Sequence, residues 1–150
     1  MTQGKVSLKV VDDRFQVIHS CLGDLRRLPA ESLVEFTANF QTPPAAESLL
    51  RRAVQALFDI LRHLLAKGFG QGMLEFKEFA RLAVEKGLVQ DPRLGAILKE
   101  LGGFRNRLTH FYQEVTPEEL YDIVKNELGD LEQIAEELRQ AAARMSGASG

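Results

Sequence analysis

Arg105, Asn106, Arg107, His110 and Tyr112 fall within eight consecutive residues, and their side chains suit chemistry at a phosphate. Cleavage of RNA without a metal uses the 2′-hydroxyl as nucleophile. It needs a base that titrates near neutrality, an acid for the leaving oxygen, and cations for the charge developing at phosphorus. His110 has the intrinsic pKa for the proton transfers. Arg105 offers a planar fork that fits phosphate oxygens, which a lysine would not reproduce. Asn106 lies four residues before His110 on the same helical face, so its amide can orient the imidazole. Arg105 and His110 diverge by about 140° on an ideal helix. They meet at one phosphate only if the helix loosens near the preceding glycines or if a second subunit supplies the complementary group. The plainer alternative is that basic side chains simply favour the last turn of a helix.

The element that must position them is a helix starting at Asp91, a good N-cap, with Pro92 at the first helical position. Leu94, Ile97, Leu98, Leu101, Phe104, Leu108 and Phe111 share one broad apolar arc, the core side. Gly95, Ala96, Lys99, Gly102, Gly103, Asn106 and His110 occupy the other. Each glycine costs roughly 1 kcal/mol relative to alanine within a helix, so this face is expected to admit something close. A second copy of the chain is the expected occupant, with Gly95, Gly102 and Gly103 forming the dimer face.

The run Gly103-Phe104-Arg105-Asn106-Arg107-Leu108-Thr109-His110-Phe111-Tyr112 resembles the R-x(4)-H-x-Y signature of the HepT-like branch of the HEPN superfamily. That branch comprises ribonuclease toxins paired with minimal nucleotidyltransferase antitoxins. The resemblance extends over roughly residues 47–138, taking in the long helix before a glycine loop, a Phe-rich helix and the Thr116-Pro117-Glu118-Glu119 restart. It implies a metal-independent endoribonuclease acting as a homodimer on RNA. Arg105 and His110 would be catalytic at the dimer cleft, with Asn106 and Arg107 in support. It also implies that Tyr112 accepts AMP from a cognate nucleotidyltransferase antitoxin. A bulky anion two residues from the histidine would block a phosphate site by bulk and by charge. Residue physics alone leaves Tyr112 equally readable as a half-buried aromatic with its hydroxyl in water.

The composition narrows the class. The chain has 150 residues, 45% of them hydrophobic and 27% charged, which fits one folded domain over residues 1–145 with a disordered tail at 146–150. No run is long and apolar enough to span a membrane, and a signal peptide pattern is absent. Cys21 is the single cysteine, so no internal disulfide forms, and a reducing cytoplasm is the expected location. No zinc-ligand spacing, nucleophile elbow or nucleotide-binding glycine pattern appears, so neither metal nor cofactor is expected. The net charge of −2 argues against a generic nucleic-acid binder. Its distribution is uneven, however: nine acids stand against Lys125 alone between Glu114 and Glu137, whereas Arg93, Lys99, Arg105 and Arg107 face only Glu100 between Arg93 and His110.

Hydrophobic periodicity predicts an all-α, up-and-down bundle of about five to six helices. A first amphipathic helix spans about 6–27, its His19 and Cys21 reading as ordinary surface and packing residues. A short helix follows Pro29. A long one runs from about 44 to 67, with Thr42 as expected N-cap. Its Arg51, Arg52, Arg62 and His63 read as a solvated face, some of which could join an RNA-binding rim. Gly68, Gly70 and Gly72 read as a helix end. A fourth helix closes near Gly87, and after the Asp91 helix a capping box at Thr116 and Glu119 opens one last helix to about Met145. Two rivals to the ribonuclease remain. One is a non-catalytic helical subunit that binds nucleotide or substrate for a nucleotidyltransferase, which the acidic balance favours. The other is a purely structural dimerisation bundle.

Overall fold

The computed structural model describes residues 5–72, 75–108 and 115–148. Among these residues the chain forms seven helices and no strand: α1 (Leu8–Leu25), α2 (Leu33–Ala38), α3 (Thr42–Phe69), α4 (Phe76–Glu85), α5 (Pro92–Leu108), α6 (Pro117–Asn126) and α7 (Leu128–Ala148).

α3 is the central element. Its Leu50, Val54, Leu57, Phe58, Ile60, Leu61, Leu64 and Leu65 are fully buried, and every other helix packs against it. α1 lies along α3 and also touches α7, while α4 packs principally on α5. Five buried residues of α1, Val11, Ile18, Cys21, Leu22 and Leu25, recur at helical spacing and carry its apolar stripe inward. Burying each large aliphatic side chain contributes about 1.5–3 kcal/mol, so the α1–α3–α7 layer is the main source of cohesion.

Local chemistry sets the ends of the helices. Ser7 Oγ accepts from Val10 N at 3.2 Å to cap α1, and the Ser7 N–H donates to His63 Nε2 at 2.8 Å, tying that cap to α3. Asp91 Oδ1 accepts from Arg93 N at 2.9 Å and opens α5 as expected. α3 ends at Gly70, whose φ of 68° is left-handed and is reached by glycine without a Cβ clash.

Four expectations are corrected. Thr42 is not the cap of α3 but its first helical residue, buried, with Gln41 in the cap position. Thr116 does cap α6, accepting from Glu119 N at 3.2 Å, but the Glu119 carboxylate pairs with Arg107. The last helix is two helices, broken at Glu127. Leu120 and Ile123 serve a helix set against α2 and α3, whereas α7 packs along α1, α3 and α5; one straight rod cannot follow both. Finally, residues 146–148 continue α7, so the helix outlasts the expected tail. No described helix is long and apolar enough to cross a membrane.

Candidate functional site

α5 carries its core side as its wheel requires: Leu94, Leu98, Leu101 and Phe104 are buried, and Ile97 and Leu108 are partly buried. That orientation turns Arg105 toward α1 and α3. Its Nε donates to Gln55 Oε1 at 2.9 Å. Gln55 Nε2 in turn donates to Asp59 Oδ1 at 2.9 Å, and the second Asp59 oxygen accepts from Arg14 Nε at 3.1 Å. The Gln55 amide is thus oriented from both ends: the carboxylate takes its N–H, which leaves its oxygen for the guanidinium.

This relay lines an open cleft of about 440 Å³ between α1, α3 and α5. Among the described residues, Arg14, Arg51, Arg52 and Arg105 surround it, with Asp59 as the one acid, and Val17, Ala56 and Leu108 supply an apolar floor. Four positive groups and one negative leave the described lining at +3, in a chain whose net charge is −2. Burial pushes the Arg105 guanidinium below its ordinary pKa, nearby Arg62 adds to the shift, and Asp59 opposes it. Arginine stays protonated regardless, so the result is a poorly solvated cation. Arg62 Nε is itself buried and has no hydrogen-bond partner among the described residues. An unsatisfied buried donor costs about 1–3 kcal/mol.

Arg107, two residues on, takes a different role. It pairs with Glu119 and lies 6.0 Å from the Phe104 ring centroid, so it fastens α5 to α6. It borders a second groove lined by Glu100, Gly103, Asp122 and Glu127. Burial raises the Glu127 carboxyl above its usual range, and the Glu100, Asp130 and Asp122 charges raise it further.

The glycines also separate. Gly95 and Gly102 are buried within the chain. Gly95 faces Val84 of α4 so closely that a β-carbon would collide with it, and its small size therefore serves packing between α4 and α5. Gly103 has open space where a side chain would stand. Asn106 is half-buried. His110 and Tyr112, the expected acid–base and modification residues, lie outside the described residues.

Sequence reading missed Arg14, Gln55 and Asp59. A signal existed for two of them: Gln55 and Asp59 are four apart, and Arg51 lies four before Gln55, which puts a polar stripe on one face of an otherwise leucine-rich helix. Arg14 is 45 residues from its partner Asp59, and no local pattern announces that contact. Among the described residues, no group of three His, Cys, Asp or Glu side chains is placed to hold a metal ion.

Several known proteins share this architecture. The Shewanella oneidensis HEPN toxin, solved in tri-AMPylated form with its MNT antitoxin, superposes with a TM-score of 0.76 at 21% identity, over 87% of this chain and 97% of that one. A toxin–antitoxin crystal structure with AMP-PNP superposes with a TM-score of 0.73 at 21% identity, over 86% and 97% of the two chains. In sequence, a protein of Aphanizomenon flos-aquae (strain 2012/KM1/D3) called tRNA nuclease HepT is 28% identical over 113 residues, 75% of this chain and 76% of that protein. The family described as Ribonuclease HepT-like matches residues 18–138. With the match spanning most of the chain and the fold agreeing with it, this protein belongs to the HepT-like ribonuclease family.

Proposed function

We propose that this chain is a metal-independent endoribonuclease toxin that works as a homodimer, with Arg105 and His110 of the R-x(4)-H motif acting at the dimer cleft. The observation that carries this reading is Arg105, poorly solvated and oriented by Gln55, on a cleft rich in arginine. A cleft lined by an excess of positive charge attracts an anion, and a phosphodiester is one that fits. Gln55 fixes the guanidinium in place, so little reorganisation is needed as charge develops on phosphorus. His110 takes the 2′-hydroxyl proton and returns one to the leaving 5′-oxygen, and a second subunit provides the matching pair. Arg107 supports the site from behind by holding α5 on α6. Gly103 leaves the α5 surface open to close approach by the partner copy.

Relatives bear on substrate and control. The Aphanizomenon protein is called a tRNA nuclease, and the Shewanella toxin is AMPylated in complex with its MNT antitoxin. By extension, the substrate here is a cytoplasmic RNA of the tRNA class, and a cognate minimal nucleotidyltransferase antitoxin neutralises the toxin by transferring AMP to Tyr112. The test is RNA cleavage by the purified chain in the presence of a chelator, beside His110→Ala of matched thermal stability. Cleavage reduced about 10²- to 10⁴-fold by the substitution fits acid–base catalysis at this residue. Equal cleavage by both chains, or none by either, would refute the reading.

The acidic net charge favours one rival, a non-catalytic subunit that binds nucleotide for a nucleotidyltransferase. That rival predicts phosphate binding at Arg105 with no strand scission.

A further inference from the structure

Most arginines of this protein lie in ion pairs. Arg26, Arg27, Arg81, Arg93, Arg107 and Arg139 are each paired with a carboxylate. Arg51 and Arg52 are exposed, adjacent and in no ion pair among the described residues, and both line the cleft beside Arg105. Two adjacent cations without counter-charge at the mouth of a positively lined cleft favour an external anion there. A single phosphate, however, would need only Arg105 and its neighbour. The additional cations lie along α1 and α3, and between them is an apolar floor that a sugar–phosphate backbone has no use for.

We propose that the cleft between α1, α3 and α5 seats one unpaired nucleotide of single-stranded RNA. Its base lies against Val17, Ala56 and Leu108, and its flanking phosphates lie on Arg51 and Arg52. The seat adjoins the phosphate held by Arg105, and in that respect it rests on the ribonuclease reading. The dimensions agree, since about 440 Å³ lies within the roughly 300–1,000 Å³ of sites that enclose small ligands. The lining agrees as well. An unstacked base buries its faces on apolar side chains or guanidinium planes, whereas an A-form duplex presents backbone and a wide, shallow groove and has no base to insert. Arg14 is held by Asp59, so one wall is preset, while Arg51 and Arg52 remain available to follow the strand. The consequence is selection for loops or ends of a folded RNA over its stems.

The experiment uses the full chain carrying His110→Ala, so that RNA survives, and measures anisotropy with a labelled unstructured 12-mer and with the same strand in a duplex. The single strand is expected to bind at least about tenfold more tightly than the duplex. Adding Arg51→Ala and Arg52→Ala, both at exposed positions, removes two phosphate contacts. It is expected to reduce the slope of log K against log salt by about 1.4, at about 0.7 per contact for single strands. Val17→Glu, which puts a carboxylate on the floor, is expected to abolish the fluorescence change of a 2-aminopurine placed at the seated position. Equal affinity for duplex and single strand would overturn the proposal, as would a salt slope that ignores the double substitution. Cleavage is followed in parallel with the His110-containing chain. Strand-selective, arginine-dependent binding without any cleavage would support the seat and remove the ribonuclease reading, so the two can fail separately.

Discussion

Arg105 and Arg107 are the same residue type two positions apart on one helix, and they inhabit opposite electrostatic settings. Arg105 faces a cleft whose lining carries four arginines and one aspartate. Arg107 faces a groove with Glu100, Glu119, Asp122 and Glu127. The second arginine pairs with Glu119 and anchors a helix, while the first donates to the Gln55 amide among other arginines. A step of about 200° around the helix separates the two. Residue type therefore decides little about function here; what decides it is which neighbouring helix supplies the surroundings.

The largest expected contrast comes from truncating each arginine in turn. Arg105→Ala is expected to lower RNA cleavage by about 10²- to 10³-fold, as loss of one preorganised charge-stabilising donor does, with little change in Tm. Arg107→Ala is expected to cost cleavage far less and to appear in thermal unfolding, at about 0.5–1.5 kcal/mol for one partly exposed ion pair and one ring contact. Reversed effects would break the comparison. Next, Gln55→Leu removes the amide that holds Arg105 and is expected to reduce kcat by about 10- to 100-fold at nearly constant KM. A rise in KM alone would make Gln55 a binding residue instead.

Two smaller effects concern stability against pH. On the acidic side, Glu127 has a folded pKa raised by burial and by Glu100, Asp130 and Asp122. The folded state binds its proton more readily than the unfolded chain does, so this group destabilises at neutral pH. The deficit fades as pH falls through the folded pKa toward the ordinary carboxylate value. Glu127→Gln is therefore expected to raise Tm at pH 7 and to lose that advantage near pH 4, measured by calorimetry. His63 works in the opposite sense. Burial, aided by Lys67, depresses its pKa, and its neutral Nε2 accepts from the Ser7 N–H. Its contribution is complete above the unfolded value near 6.5 and is lost as pH falls through the folded pKa. His63→Gln is expected to flatten the dependence of Tm on pH between 7 and 5, the smallest of these effects.

Much of the fold was legible because it is local. The periodic apolar residues of α1, α3 and α5 mark their buried faces, and Asp91, Gly70 and Thr116 mark ends through chemistry within four residues. The break at Glu127 was not legible, since Leu120, Ile123, Val124, Leu128, Leu131 and Ile134 keep helical spacing straight through it. Only the different packing partners of α6 and α7 impose the turn. The candidate site divides the same way. Arg105 was singled out from its own heptad, but the cleft around it is assembled by Arg14, Gln55 and Asp59 from helices distant in sequence. Arg51 and Arg52, readable as a solvated face, acquire meaning only once α1 and α5 flank them.

The close seating of Val84 over Gly95 has a further consequence. It joins α4 to α5 more intimately than either is joined to the α1–α3–α7 layer, and such a pair is suited to open as one cooperative unit below the free energy of global unfolding. The hydrogen bond from Arg105 to Gln55 crosses the seam between that unit and the main layer. An RNA strand lying across the cleft would latch the seam shut, and amide hydrogens throughout α4 and α5 would then exchange more slowly. In this way occupancy of the cleft would be recorded on a helix, α4, none of whose described side chains lines it.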